Sequence, residues 1–162
     1  MAVDPLEFRR AMGHFPTGVS ILTTVHDGER HGMTANSITS VSLEPVLILV
    51  CLMREARTAL AIQRAGRFAV NFLAENQEQM SRRFGIAGQD HFDGLEVDED
   101  LSGLPLLPGC TAYLVCRVTD IVPAGDHDVV LAEVERAHER GGNPLVFHLG
   151  GYKRLPGLGR LG

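Results

Sequence analysis

The apolar residues of this chain fall into short runs separated by turn formers. Val19-Ser20-Ile21-Leu22-Thr23-Thr24-Val25 is rich in β-branched residues and predicts a strand. Asp27-Gly28 follows as a hairpin-turn signal, and a second strand begins near His31. Val46 to Leu52 is an uninterrupted apolar run, which predicts a central strand covered on both faces. Further strands are expected over 68–72, 111–122, 129–138 and 145–148. The helical signals are brief. Asp4-Pro5 supplies a cap and a first-turn proline, and Leu6, Phe8, Met12 and Phe15 would share a face behind them. A second helix over 58–64 is stopped by Gly66, and a third runs over 76–84. The stretch 85–109 is rich in Gly, Asp and Pro and predicts a long excursion over the surface.

Strands in succession with short helices between them predict a mainly β fold, a closed antiparallel barrel with helical decoration. Closure would remove the sheet edges of so small a domain, although an open α+β sheet fits the same pattern. No internal repeat divides the chain, so 1–155 is expected to be one domain and the Gly- and Pro-rich 156–162 a mobile tail. The Gly-x-Gly-x-x-Gly of a dinucleotide-binding βαβ unit is absent, and so is a P-loop.

Composition narrows the partners. A chain of 162 residues with 44% hydrophobic and 22% charged residues is an ordinary globular domain. Its net charge of −5 argues against nonspecific nucleic-acid binding, which needs a basic face. The longest apolar run is too short to span a bilayer, and the N-terminus lacks the basic start and apolar core of a signal peptide. Cys51, Cys110 and Cys116 are odd in number and form no Cys-x-x-Cys pair, which fits a reducing cytoplasm. The seven histidines are scattered without ligand spacing, so no metal is expected.

The candidate chemistry lies just ahead of the central apolar run. Gly32-Met33-Thr34-Ala35-Asn36-Ser37-Ile38-Thr39-Ser40-Val41-Ser42 crowds hydroxyl and amide side chains into one uncharged segment. Uncharged donors beside an apolar wall suit a flat, largely apolar ligand with a polar edge, such as a flavin ring. The same residues would also serve as turn formers between two strands.

The order of these residues resembles the signature of the flavin reductase family, the split-barrel reductase components of two-component flavin monooxygenases. The resemblance starts in Phe8-Arg9-Arg10-Ala11-Met12-Gly13-His14-Phe15-Pro16-Thr17-Gly18-Val19. It runs through Thr34-Ala35-Asn36-Ser37 and Arg67-Phe68-Ala69-Val70-Asn71-Phe72-Leu73, and returns in Gly125-Asp126-His127 and Gly150-Gly151-Tyr152. It implies an NAD(P)H:flavin oxidoreductase on a closed antiparallel split β-barrel. NADH or NADPH would give a hydride to FMN or FAD, and the reduced flavin would pass to a separate monooxygenase. A homodimer with the flavin near the subunit interface is implied as well. Two alternatives remain: an FMN-retaining enzyme of the pyridoxamine-phosphate-oxidase-like barrels, and a non-catalytic flavin- or haem-binding protein.

Residue by residue, the resemblance implies that Thr34, Ala35, Asn36 and Ser37 line the flavin, with Thr39 and Ser40 beside them. Cys51, Leu52 and Met53 would flank the ring or the ribityl chain. Arg57 and Thr58, at the start of a helix, would meet the phosphate, although Met53, Glu55 and Ala56 depart from the Ser- and Asn-rich family pattern there. Arg83 would reach the phosphate and Phe84 would cover the ring or adenine. His127 would stand near the nicotinamide as the catalytic histidine, and Tyr152 would stack on nicotinamide or adenine. The other histidines, His31 and His91 among them, are expected to be surface or structural.

Overall fold

The computed structural model describes residues 2–155, and the stretch 156–162 lies outside them. The chain opens with α1 (Pro5–Gly13), β1 (Thr17–Gly18), β2 (Ser20–His26), β3 (Glu29–Ala35), β4 (Ile38–Leu43) and β5 (Val46–Met53). It continues through α2 (Arg57–Ala65), β6 (Arg67–Phe72), α3 (Glu78–Phe84), β7 (Asp98–Glu99) and β8 (Pro105–Leu106). It ends with β9 (Ala112–Ala124), β10 (His127–Glu139), β11 (Val146–His148) and β12 (Gly151–Lys153). The fold is mainly β with three helices.

Seven strands form one sheet in the order β3-β2-β6-β9-β10-β5-β4, with antiparallel neighbours throughout. Among the described residues no ladder joins β3 to β4, so hydrogen bonding does not close the sheet as expected. The physical reason lies in the chain. β3 and β4 are separated only by Asn36 and Ser37, and each pairs with a different neighbour, β2 or β5. A second, three-stranded sheet of order β1-β11-β12 stands apart from the large one.

Local chemistry accounts for these elements. Asp27 and Gly28 both have positive φ, as the tight β2–β3 turn requires, and Gly66 in the left-handed region ends α2. Asp4 caps α1, its carboxylate accepting from the Leu6 N–H at 3.1 Å. None of the residues of α1 is buried, so Leu6, Phe8 and Met12 find no core there. The main core lies on one face of the large sheet, where Leu22, Ile48, Val50, Leu52, Phe68 and Val70 pack against Ala59 and Ile62 of α2. Burial alternates along β5: Ile48, Val50 and Leu52 are buried while Leu47, Leu49 and Cys51 are half-exposed. The run of 46–52 is therefore covered on one face in this chain, where the sequence predicts cover on both.

Buried polar groups tie the long excursion 85–109 to the sheet. Asn71 on β6 donates to the Ile21 carbonyl at 3.1 Å and accepts from the Leu107 N–H at 2.8 Å. Thr23 on β2 donates to the Pro105 carbonyl at 2.5 Å. Each bond satisfies a group that burial would otherwise leave without water. A second hydrophobic cluster follows under the excursion, where Phe84 and Phe92 meet edge to face at 5.2 Å between ring centres.

Gly32, in the middle of β3, faces this cluster. A Cβ placed there would fall 2.5 Å from Cε1 of Phe84 and 3.3 Å from Phe92. Glycine is required by the close approach of the ring, since a methyl group would displace a buried aromatic. Gly32→Ala is expected to destabilise the protein by about 1–3 kcal/mol, the usual cost of overpacking. Denaturant unfolding checks this, and an unchanged midpoint would mean that Phe84 moves aside freely.

Candidate functional site

The site grows out of the exposed edge of β3. This strand ends the large sheet, so one of its sides lacks a partner strand. The Gly32 carbonyl points out on that side, where it accepts from the Thr58 hydroxyl of α2 at 3.0 Å. In an antiparallel strand the N–H and C=O of one residue point the same way, and every second residue repeats the direction. The N–H groups of Arg30, Gly32 and Thr34 therefore run along the open edge. Helix α2 flanks it on one side, and the end of α3 with the turn after it on the other.

Between them lies a cleft of about 1030 Å³, at the upper end of the range for small-molecule sites. Gly32, Met33 and Thr34 form its floor, Met53 and Ala56–Thr58 one wall, and Phe84 with 85–93 the other. Met53 and Ile86 give the walls apolar surface that is open to solvent. A smaller cavity of about 180 Å³, lined by Val19, Thr34, Ala35, Asn36, Ser81, Phe147 and Tyr152, adjoins it. Thr34 lines both cavities and is their common wall.

The electrostatics of the cleft are set by which cations are already paired. Arg30 is held by Glu99 at 2.6 Å across the rim. Arg57, among the described residues, has no carboxylate within ion-pair distance, although it stands in the first turn of α2. That helix starts at Ala56 without a side-chain cap, so its first N–H groups also face outward unbonded by a cap. His31 lies on the same cleft wall. Burial lowers its pKa below the usual value, and the neighbouring Arg57 charge lowers it further, against the opposing pull of Glu29.

The residues expected from the sequence divide into groups. Thr34, Met53, Arg57, Thr58 and Phe84 line the large cleft, and Ala35, Asn36 and Tyr152 the small cavity. Ser37, Thr39, Ser40 and Cys51 line neither cavity; Ser37 donates to the Cys51 carbonyl at 2.7 Å, and Thr39 and Ser40 are exposed on β4. Leu52 is 1% exposed and its side chain belongs to the core, so only its backbone can approach a ligand. Arg83 is not in the cleft lining; its guanidinium donates to the carbonyl of Asp93, a residue of the cleft wall. Two hydroxyls expected as ligand donors are already committed: Thr58 to Gly32, and Thr34 to the Ser81 carbonyl at 2.6 Å. Tyr152 is held from several sides at the cavity wall. Its hydroxyl bonds Ser81 at 2.8 Å, the Arg82 guanidinium lies 4.9 Å over its ring, and Phe147 meets it at 68°.

His127 opens β10 opposite Met53 in the ladder, which puts it beside the cleft wall rather than in the lining. Its Nδ1 pairs with Asp126 at 2.7 Å. Asp128 turns the other way, into the interior, and accepts from Arg54 at 3.1 Å and Gln63 at 2.9 Å. Sequence reasoning missed His31 and His91, which both line the cleft; His91 packs against Phe84 at 5.1 Å between ring centres. The signal for His31 was its place directly before a glycine in the site segment. Burial pushes Cys110 up to about 11 and Cys116 up to about 12, so neither thiol is an available nucleophile at neutral pH. Among the described residues no three His, Cys, Asp or Glu side chains gather as metal ligands, and no helix is long and apolar enough to cross a membrane.

Residues 12–156 match the model of the flavin reductase like domain. The chain belongs to this flavin reductase family. The reductase subunit HsaB of a flavin-dependent monooxygenase from Rhodococcus jostii is 40% identical over 152 residues, 93% of this chain and 78% of that protein. An NADH-dependent flavin reductase from a Rhodococcus species is 40% identical over 161 residues, covering 98% and 90%. The NADH:FAD oxidoreductase SgcE6 of Streptomyces globisporus, solved with NAD and FAD fragments, superposes with a TM-score of 0.90 at 35% identity, covering 98% of this chain and 99% of that one. The relatives are thus flavin reductases and the reductase components of monooxygenases, and this chain shares their fold across almost its whole length.

The lowered pKa of His31 fixes the sign of one pH effect. The folded protein binds this proton less readily than the unfolded chain, so stability falls as pH drops through 6.5, the unfolded value. His31→Gln is expected to remove that part of the acid sensitivity. Thermal unfolding midpoints of both proteins above and below this pH check it; equal acid losses would mean that His31 is not held neutral by its surroundings.

Proposed function

We propose that this protein is an NAD(P)H:flavin oxidoreductase that supplies reduced flavin to a separate monooxygenase. The carrying observation is the open edge of β3, a row of uncharged backbone donors facing a cleft that holds one unpaired guanidinium. That pairing fits a flavin phosphate of the FMN or FAD type. The N–H groups of Gly32 and Thr34 would meet the polar edge of the ring, where negative charge grows on reduction. Met53 and Phe84 would bound its apolar face, and Arg57 with the first turn of α2 would take the phosphate. Bound flavin supplies the hydride-accepting chemistry, and the protein's task is to hold donor and acceptor in contact. Asn36 and Ala35, which line the small cavity, would meet the nicotinamide of NADH or NADPH beside Thr34. His127, at the margin of the large cleft beside Met53, would be the catalytic histidine.

Ser37, Thr39, Ser40 and Cys51 lie outside both cavities, on or beside the apolar outer face of β4 and β5. A homodimer joined through this face would bring them into the site. It would also bury Val41, Leu43 and Val46, which are exposed here, and complete the two-sided cover that the 46–52 run calls for. The split barrel is part of the same reading: β3 passes through Asn36–Ser37 into β4, so the chain itself would complete the ring. The three free thiols suit a cytoplasmic protein.

The deciding experiment is nicotinamide oxidation by the purified protein with added FMN or FAD. Turnover that saturates with free flavin is expected; bound flavin without turnover would move the function to a retained-flavin enzyme or a binding protein. Asn36 is exposed and its amide reaches only Thr17, at 3.3 Å. Asn36→Ala is therefore expected to weaken flavin or nicotinamide binding about three- to tenfold without lowering the unfolding midpoint, the scale of one lost hydrogen bond. Unchanged binding of both would remove Asn36 from the site. Sedimentation is expected to give a dimer, and Leu43→Glu combined with Val46→Glu a folded monomer. A wild-type monomer at working concentration would sink the interface.

A further inference from the structure

We infer that Ser81 and Tyr152 are positioning residues that fix Thr34, the wall between the two cavities, and so set where the hydride donor stands relative to the flavin. The inference rests on the flavin reductase reading; both residues line the small cavity, and the role argued for them is to hold Thr34 in place through hydrogen bonds.

Ser81 is a node between three elements. It lies within α3 and is 1% exposed. Its carbonyl accepts the Thr34 hydroxyl of β3 at 2.6 Å, in addition to the Gly85 N–H of its own helix at 3.0 Å. Its hydroxyl bonds the Tyr152 hydroxyl of β12 at 2.8 Å. β12 belongs to the small sheet, which among the described residues shares no ladder with the large one. The Ser81–Tyr152 bond therefore links the small sheet to the helix that carries one wall of the large cleft.

Tyr152 is itself held from two sides. Arg82 lies over the ring and is fixed by Glu78 at 2.8 Å, one turn earlier on α3. Phe147, its partner in the β11–β12 ladder, packs edge to face against the ring. A tyrosine clamped in this way has little freedom to swing into a ligand. It can transmit its position to Ser81, and Ser81 to Thr34. The consequence for Thr34 is definite: its hydroxyl proton points to Ser81, and the rest of its side chain is left as a fixed partition. A ligand on either side meets a wall that cannot rotate without breaking a partly buried bond.

Hydride transfer is sensitive to distance in a way that binding is not. Loosening the partition should therefore act on turnover more than on flavin affinity. Tyr152→Phe removes one hydroxyl and keeps the ring in its clamp. It is expected to lower kcat about fivefold at saturating NADH and flavin, the size of one hydrogen bond's net contribution. The flavin Kd, read by fluorescence quenching, should stay within about twofold on the same scale. Ser81→Ala should reproduce this, and the double variant should be no worse than either single one, since both remove the same bond. Should Ser81→Ala fail to fold, Tyr152→Phe with its split between kcat and Kd carries the test alone.

Several results would overturn the inference. An unchanged kcat in Tyr152→Phe is one. A flavin Kd or an NADH KM that rises in step with the loss of rate is another, and would make Tyr152 a ligand contact. Single effects that multiply in the double variant are the third, and would make them independent. A wild-type protein without reductase activity fails at the parent measurement instead, and identifies the flavin reductase reading as the error.

Discussion

The constraint on which the site depends is that β3 stays open along one edge while elements crowd it from both faces. An exposed strand edge is ordinarily a hazard, because its unpaired groups invite another strand. Here α2 and the end of α3 stand on either side and leave a gap suited to a ligand rather than to a strand. Gly32 makes this geometry possible. With a side chain at that position the Phe84 ring could not lie against the strand, and the wall built on 84–93 would shift outward. Glycine at the center of a strand usually weakens it, and the buried aromatic cluster beneath is what holds this one in place.

The hydroxyl-rich segment reads differently once its bonds are known. Thr34, Ser37 and Thr58 each donate to a backbone carbonyl, and so does Ser20, to Ala35 at 2.7 Å. Their role is to hold strand, corner and helix together where regular ladders end. The donors left for a ligand are then mainly backbone N–H groups on a strand edge, together with the capless start of α2. Such donors are uncharged and fixed by the fold. They suit a ring whose charge changes during the reaction, because stabilisation is already in place and needs little reorganisation.

Much of the fold was legible in the sequence. Asp27-Gly28 marked its hairpin, Gly66 its helix end, and the β-branched runs their strands, because each is decided by residues adjacent in the chain. The strand β12 and the short β7–β8 pair carried no such local pattern and depend on distant partners. At the site, the segment 34–36 was legible as site material, but the direction of each side chain was not. A threonine in a strand gives no sign whether its hydroxyl meets a ligand or a carbonyl 47 residues away, as Thr34 does with Ser81. The same limit explains Asp126 and Asp128: both flank His127, yet Asp126 sits in the turn and pairs with it, while Asp128, on the strand, turns inward to Arg54 and Gln63. His31 and His91 were passed over because a lone histidine has no pattern, and the cleft that joins them to Arg57 exists only in three dimensions.

The remaining tension lies in β5. Its sequence, VLILVCLM, is apolar on both faces, while its neighbours supply a core for only one. On the other face Leu47 and Leu49 stand beside Glu133 and Leu131 of β10 in the ladder, half in water. Leu43, at 85% exposure, projects from the adjoining edge strand. Apolar surface removed from water stabilises by about 25 cal/mol per Å², so a face of this kind is a standing source of association free energy. Polar substitution would silence it at little cost to the monomer, since none of these side chains supports the main core. A sequence with these positions apolar makes sense when a surface of matching character covers them, and in the proposed homodimer an identical chain would provide one, brought into register with itself by a two-fold axis. In that dimer the open cleft and the apolar face would be two parts of one arrangement, joined at the Asn36–Ser37 corner where the strand turns from one to the other.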